Sequence, residues 1–148
     1  MEKNKIAGET SYADRIKRLL TQKCIAYSSR KIPYRHLCIF DMVSSLDMLW
    51  CIEQRITMYV YEKRICVYAA VPVMSVDKDE TASIINTLNI ENTIGIFRFD
   101  SVSGMMEWTY SFMDRQGKWP GDACILAVLC TAKDMIEKLC TRLQRLEG

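Results

Sequence analysis

Few residues in this chain have types and spacing that could do chemistry. The chain has one histidine, His36, and seven cysteines at positions 24, 38, 51, 66, 124, 130 and 140. Cys24, His36 and Cys38 together could supply a thiolate–imidazole metal site. Such a site needs a fourth ligand and a close cysteine pair, and no C-x-x-C spacing occurs anywhere in the chain. With a single histidine, a Cys₂His₂ finger within one chain is excluded. The simpler reading is a partly exposed loop histidine beside two buried thiols. A Cys–His nucleophilic pair stays open, because such partners meet in space and not in sequence. Asp77 and Glu80 are carboxylates at the spacing of a helix cap, which accounts for them better than acid–base work does. The six glycines are scattered and form neither a G-x-x-x-x-G-K-[ST] nor a G-x-G-x-x-G phosphate cradle. No catalytic, cofactor-binding or metal residue is assigned on this basis, and no cofactor or enzymatic activity is expected.

Composition narrows the class further. A chain of 148 residues, 49% of them apolar, is long enough for one domain with a real core and too short for two comfortable ones. A net charge of +2 does not point to nucleic acid or to an anionic membrane. No run of apolar residues is long enough for a membrane-spanning helix. Lys133, Lys138, Arg142 and Arg145 near the C-terminus interleave with Asp134, Glu137 and Glu147, as on a solvated helix face. An odd cysteine count without paired spacing fits reduced thiols buried as small hydrophobes in a cytoplasmic protein. Residues 1–9 carry charges with no apolar run after them and read as a flexible leader, followed by a single domain over 10–148.

The clearest element signal lies in the second half. Phe97 and Phe99, then Met106, Trp108, Tyr110 and Phe112, alternate with Arg98, Glu107, Thr109 and Ser111. That is the period of two expected of a half-buried antiparallel pair. A loop over Ser101–Gly104 sets Phe97 opposite Trp108, Arg98 opposite Glu107 and Phe99 opposite Met106, so like faces like and opposite charges meet. Upstream, Ile56–Tyr61 and Arg64–Val73 form a second hairpin around Glu62-Lys63, with Pro72 closing its ladder. Thr10 or Ser11 caps a first helix carrying Ile16, Leu19 and Leu20, which fades near Cys24. Asp77 opens a second helix with Thr81, Ile84, Ile85 and Leu88 on one face, ending near Asn89. From Asp122, Ile125, Val128, Leu129, Ala132, Ile136, Leu139 and Leu143 follow helical spacing for about five turns. Leu126, Ala127 and Cys130 make the first half of that helix apolar all round, so it is expected to be enclosed.

Residues 25–47 are the least regular. Ser28–Pro33 reads as a loop, Leu37–Phe40 as a short strand and Ser44-Ser45 as a turn. Met48–Glu53 reads as a strand with its turn at Gln54-Arg55. The expected fold is α+β, in the order α-β-β-β-α-β-β-α, with an antiparallel sheet of about five strands and helices on one face. In that sheet Tyr59, Tyr61 and Tyr68 alternate with an aliphatic set, which leaves both faces apolar. Either a loop such as 28–47 covers the second face, or its aromatics are exposed as a protein interface.

The run Tyr68-Ala69-Ala70-Val71-Pro72-Val73, the helix from Val76-Asp77 to Leu88-Asn89, Gly95-Ile96-Phe97-Arg98-Phe99-Asp100, Gly104 and the helix after Pro120 resemble the YbjN-like family. They also resemble its larger fold group, the class I type III secretion chaperones. The likeness covers about residues 64–143, with residues 10–63 matching in element order. Ser28–Leu46 departs from the group's short first connection. The resemblance implies a non-enzymatic binder, since the secretion chaperones are homodimers that hold an extended client segment along sheet edges and helix grooves. The leading expectation is therefore a cytoplasmic, homodimeric module that binds a protein client through Tyr59, Tyr61 and Tyr68. A small-ligand or enzymatic pocket near His36, Cys38 and Asp41 is the rival, and a mobile-element inhibitor of a host protein would use the same surface.

Overall fold

The period-two segments pair into one sheet, and the helical-period segments lie across it. In the computed structural model, which describes residues 12–45, 53–72, 78–113 and 120–147, helix α1 spans Tyr12–Gln22. Strands β1 (Ser28–Ile32), β2 (Leu37–Ser45), β3 (Glu53–Val60) and β4 (Arg64–Pro72) follow. Helix α2 (Lys78–Glu91), strands β5 (Ile96–Asp100) and β6 (Met105–Met113), and helix α3 (Asp122–Glu147) complete the order. The sheet is antiparallel throughout, in the order β1-β2-β3-β4-β6-β5.

Register places the apolar sets side by side. Met42, Ile56, Ala69, Trp108 and Phe97 form one row across five strands, and Phe40, Met58, Val67 and Tyr110 form the next. These rows join Ile16, Leu19 and Leu20 of α1, Leu88 of α2, and Ile125, Leu129, Ile136 and Leu139 of α3 in one core. Burial of that apolar area is the main favourable term in folding. Arg142 of α3 donates to both carboxylate oxygens of Glu91 at 2.8 Å, and Lys138 donates to Asn92 at 3.1 Å, joining α3 to α2 at the surface.

The hairpin β5–β6 has the expected register: Phe97 opposite Trp108, Arg98 opposite Glu107 and Phe99 opposite Met106. Asp100 shapes its loop, with its side chain accepting from the backbone of Val102 at 2.9 Å and its carbonyl accepting from Gly104 at 2.8 Å. The motif preceding it also has a structural explanation. The Asn89 side chain both donates to Phe97 O (3.0 Å) and accepts from Phe97 N (2.7 Å). A side-chain amide thus takes the place of a seventh strand at the outer edge of β5. Gly95 has φ +74°, and a Cβ there would lie 2.4 Å from the Trp108 ring, whose Nε1 donates to Ile94 O at 3.0 Å.

Several expectations need correction. The sheet has six strands, because Ser28–Ile32 is a strand and not a loop. The polar run Ser-Ser-Arg-Lys is compatible with a strand because β1 is an edge and almost wholly exposed. A single 3₁₀ turn, Pro33–Arg35, followed by His36 at φ 50°, reverses the chain into β2. Residues 28–45 therefore extend the sheet and do not cover it. Ser44-Ser45 is not a turn, since β2 continues to Ser45, and Gln54-Arg55 is not one either, since both pair with β2. The first half of α3 is not enclosed: Cys124, Ala127 and Cys130 are exposed and Leu126 is half-buried. Among the described cysteines all are free, but only Cys38, Cys66 and Cys140 are buried, whereas Cys24, Cys124 and Cys130 are exposed. The flexible leader, the caps at Thr10, Ser11 and Asp77, the strand reading over residues 48–52, Cys51 and Val73 lie outside the described residues.

Helix α1 ends where expected and by a definite device. Cys24 adopts φ 56°, its N–H donates to Thr21 O (3.1 Å), and Ile25 N donates to Leu20 O (2.9 Å). This is a Schellman ending with cysteine in the place usually held by glycine. At Glu62-Lys63 the β3–β4 connection is as short as expected, closed by Tyr61 N donating to Arg64 O at 2.8 Å. Neither turn residue has positive φ, so the turn is not one of the primed types, which removes the need for Gly or Asn.

Gly95 supplies the stability test. The variant Gly95→Ala should lose about 3 kcal/mol, combining left-handed strain with a clash against an indole that has no room to retreat. Urea unfolding measures the loss, and a stability unchanged from the parent chain would contradict the close approach.

Candidate functional site

All described helices pack on the face carrying Phe40, Met58 and Trp108, so among the described residues no helix lies over the opposite face of the sheet. Strand parity sends Ile39 of β2, Thr57 and Tyr59 of β3, and Cys66 and Tyr68 of β4 to that open face. Ile39, Tyr59, Cys66 and Ser111 lie in one row, and Asp41, Thr57, Tyr68, Thr109 and Ile96 in the next. Ile39 and Cys66 are buried, although neither belongs to the main core. Tyr59 and Tyr68 stand diagonally across β3 and β4, their rings edge to face at 5.2 Å and 84°. Both are half-buried, leaving part of each ring surface accessible.

The polar groups of this face are arranged around the two rings. Thr57 donates to Asp41 at 2.9 Å, Ser111 to the Cys66 sulfur at 3.4 Å, and Arg98 to Glu107 at 2.7 Å. Burial raises the pKa of the Tyr68 hydroxyl above its ordinary value, with Cys66 adding to the effect and Arg98 opposing it. Register also places Arg30 and Arg55 on this face, neither of which sequence reasoning singled out. Their parity becomes readable only once β1 is known to be a strand and β3 is known to run unbroken from Glu53.

The third tyrosine, Tyr61, is set apart from this pair. It follows the end of β3, where the Arg64 guanidinium sits 4.7 Å from its ring centroid. There it joins His36, Leu37, Cys38 and Tyr12 around an open hollow of about 590 Å³ at the end of the sheet. The structure thus brings His36 and Cys38 to one depression but leaves Asp41 out of it, since β2 turns Asp41 to the open face. His36 is exposed, and burial raises the Cys38 thiol above its ordinary pKa despite the opposing charges of Lys17 and Lys31. A thiol held protonated is a poor nucleophile and a poor metal ligand. Among the described residues, no three His, Cys, Asp or Glu side chains converge in a metal-binding arrangement.

The two edges of the sheet differ in what they offer a partner strand. The outward backbone groups of Phe97 in β5 are already held by Asn89. Strand β1 has no described neighbour beyond β2 and carries Arg30 and Lys31, the kind of charge that discourages indiscriminate edge pairing.

No family model matches the sequence, and no curated protein matches it. Among solved structures, the fold is similar to one described as "Crystal structure of YbjN, a putative transcription regulator from E. coli". The TM-score is 0.69, covering 93% of this chain and 94% of that one, at 9% sequence identity. The likeness is one of fold, and it extends through the first half of the chain as well as the second. Among the described residues, no helix is long and apolar enough to cross a membrane.

At the rim of the hollow, Tyr12 donates to Pro120 O at 2.6 Å, fastening α1 to the start of α3. Burial pushes its hydroxyl up to about 12, partly offset by Arg15 and reinforced by Asp122 and Cys124. A phenol with a folded pKa above its unfolded value of 10.0 contributes fully below that pH. The contribution is lost as pH rises through the folded value. Tyr12→Phe should therefore be less stable than the parent by about 1 kcal/mol at pH 8, the worth of one hydrogen bond. The gap should close as the pH rises from 10 towards 12, as followed by urea unfolding at fixed pH. A gap that stays constant to the alkaline end would mean that Tyr12 does not titrate this way.

Proposed function

We propose that this protein is a non-enzymatic protein-binding module whose open sheet face, centred on Tyr59 and Tyr68, takes up a protein partner. The observation that carries the reading is the half-buried tyrosine pair on a sheet face over which no described helix packs. A ring that is apolar in its body and polar at its tip tolerates water when free and gains from burial when bound. Aromatic side chains of this kind commonly dominate interface energetics. Tyr61 stands apart from the pair at the end of β3, and the outer edge of β1, which has no neighbour among the described residues, offers backbone groups for strand addition. The fold of a protein titled a putative transcription regulator supports a role in binding in preference to catalysis. The mean charge of the chain favours a protein partner over nucleic acid. Homodimerisation and a chaperone-like or adaptor role in the cytoplasm belong to the same proposal, drawn from the resemblance to the secretion chaperones.

Affinity capture from the source organism, followed by titration of the captured protein, tests the proposal. Tyr59→Ser and Tyr68→Ser should each weaken binding by about 2 kcal/mol, roughly thirty-fold, with the fold retained. An affinity unchanged in both variants, or the absence of any specifically enriched protein, would count against the tyrosine face. Light scattering tests self-association: a mass near twice 17.1 kDa is expected at tens of micromolar, and the single-chain mass would remove the dimer from the proposal.

A further inference from the structure

On the helical side of the sheet, away from the tyrosines, the layer is incompletely filled. A cavity of about 300 Å³ opens between α3 and strands β2 and β3, at the small end of the range for small-molecule sites. Met42, Ile56 and Leu129, all buried, contribute its apolar lining together with Ile25. Ala26, Cys130 and Lys133 line it too and are exposed, so they lie towards its mouth. Among the described residues of the lining, Lys133 alone carries a charge. Two features keep the space open: short side chains stand at Ala26 and Cys130, where larger ones would fill it, and Ile25 is held back by the Schellman ending of α1.

Such a space is poorly satisfied by water. Its described walls offer almost no hydrogen-bond partners, so a water against them would lack the two to four polar contacts it needs. An aliphatic chain would regain dispersion contacts along Met42, Ile56 and Leu129. At the mouth, Lys133 forms no ion pair with another described residue, although Glu137 lies one turn further along α3. A flexible ammonium beside an apolar cleft complements a chain that is greasy along its length and anionic at one end.

We propose that this cavity is a binding site for a free medium-chain fatty acid, its hydrocarbon seated between α3 and β2–β3 and its carboxylate paired with Lys133. The site lies on the opposite side of the sheet from the tyrosine face and does not depend on the function assigned to that face.

Sodium decanoate, titrated into the full-length protein, tests the site with two readouts. The first is the thermal unfolding midpoint, which should rise with ligand concentration because only the folded chain binds. The second is alkylation of Cys130 by iodoacetamide, read by peptide mass mapping so that other cysteines do not interfere. Saturating decanoate should slow it at least five-fold while leaving Cys124 unaffected. Decanol, which lacks the carboxylate, should bind about ten-fold more weakly, and Lys133→Glu should abolish that preference. Ala26→Phe, a substitution at the exposed mouth, should fold normally and lose both effects. An unchanged midpoint together with unprotected Cys130 would overturn the proposal. So would equal binding of decanol and decanoate by the unsubstituted protein, or full decanoate binding by Lys133→Glu. Protection of Cys130 by a lysophospholipid but not by decanoate would reject the free acid as the ligand.

Discussion

The governing constraint of this structure is a sheet with apolar side chains on both faces, over one of which all the described helices pack. Six antiparallel strands send Phe40, Met58, Val67 and Trp108 to one side, where α1, α2 and α3 bury them. The same strands send Ile39, Tyr59, Cys66 and Tyr68 to the other. Alternation makes this unavoidable, because a strand rich in β-formers cannot place every apolar residue on one face. Ile39 and Cys66 are buried on the second face with no described helix above them, and the rings of Tyr59 and Tyr68 lean edge to face in the same patch. Tyrosine suits that position, since leucine or phenylalanine would leave the same surface exposed with no polar tip to hydrate.

Three residues in or beside the motifs that resemble the YbjN-like family hold the β5 end of the sheet together. Gly95 allows the chain to pass beneath the Trp108 indole, Asn89 closes the edge of β5 at Phe97, and Asp100 ties the loop that fixes the hairpin register. Each is a backbone requirement and none touches the tyrosine face. The fold is shared across 94% of another chain at 9% identity. A few positions with strict geometric demands define the scaffold, and the rest need only be apolar or polar in the right alternation. These motifs therefore identify an architecture and not a task.

Legibility in the sequence followed the strength of the burial pattern. Phe97–Asp100 and Met105–Phe112 alternate cleanly because one side of each faces a dense core, and their register could be read from charge and size alone. The stripe on α3 was equally clear, and Ile125, Val128, Leu129, Ala132, Ile136, Leu139 and Leu143 are all buried. Strand β1 was illegible for the converse reason. An edge strand open to water on both faces has no apolar face to display, so Ser28-Ser29-Arg30-Lys31 carries no period of two. The exposure of Ala127 and Cys130 was missed because an apolar residue is no guarantee of a neighbour, and small side chains at a surface cost little. Of the site residues, Tyr59 and Tyr68 could be assigned to one face from parity. That Tyr61 belongs to the end of the sheet, beside Arg64 and His36, depended on where β3 stops.

The histidine and the cysteines show how topology decides chemistry. His36 and Cys38 are close in sequence and reach the same hollow, yet the strand between Cys38 and Asp41 turns the carboxylate to the opposite face. Cys38 and Asp41 stand three positions apart on one strand and so look in opposite directions, which keeps this base, thiol and acid from forming a relay. The imidazole stands in solvent at the left-handed residue of a turn, and the thiol is buried and protonated in the wall of the hollow. What remains accessible around these groups is ring, methylene and guanidinium surface. Surface of that kind binds by complementarity and area, which is the physical basis of the binding role proposed for the tyrosine face.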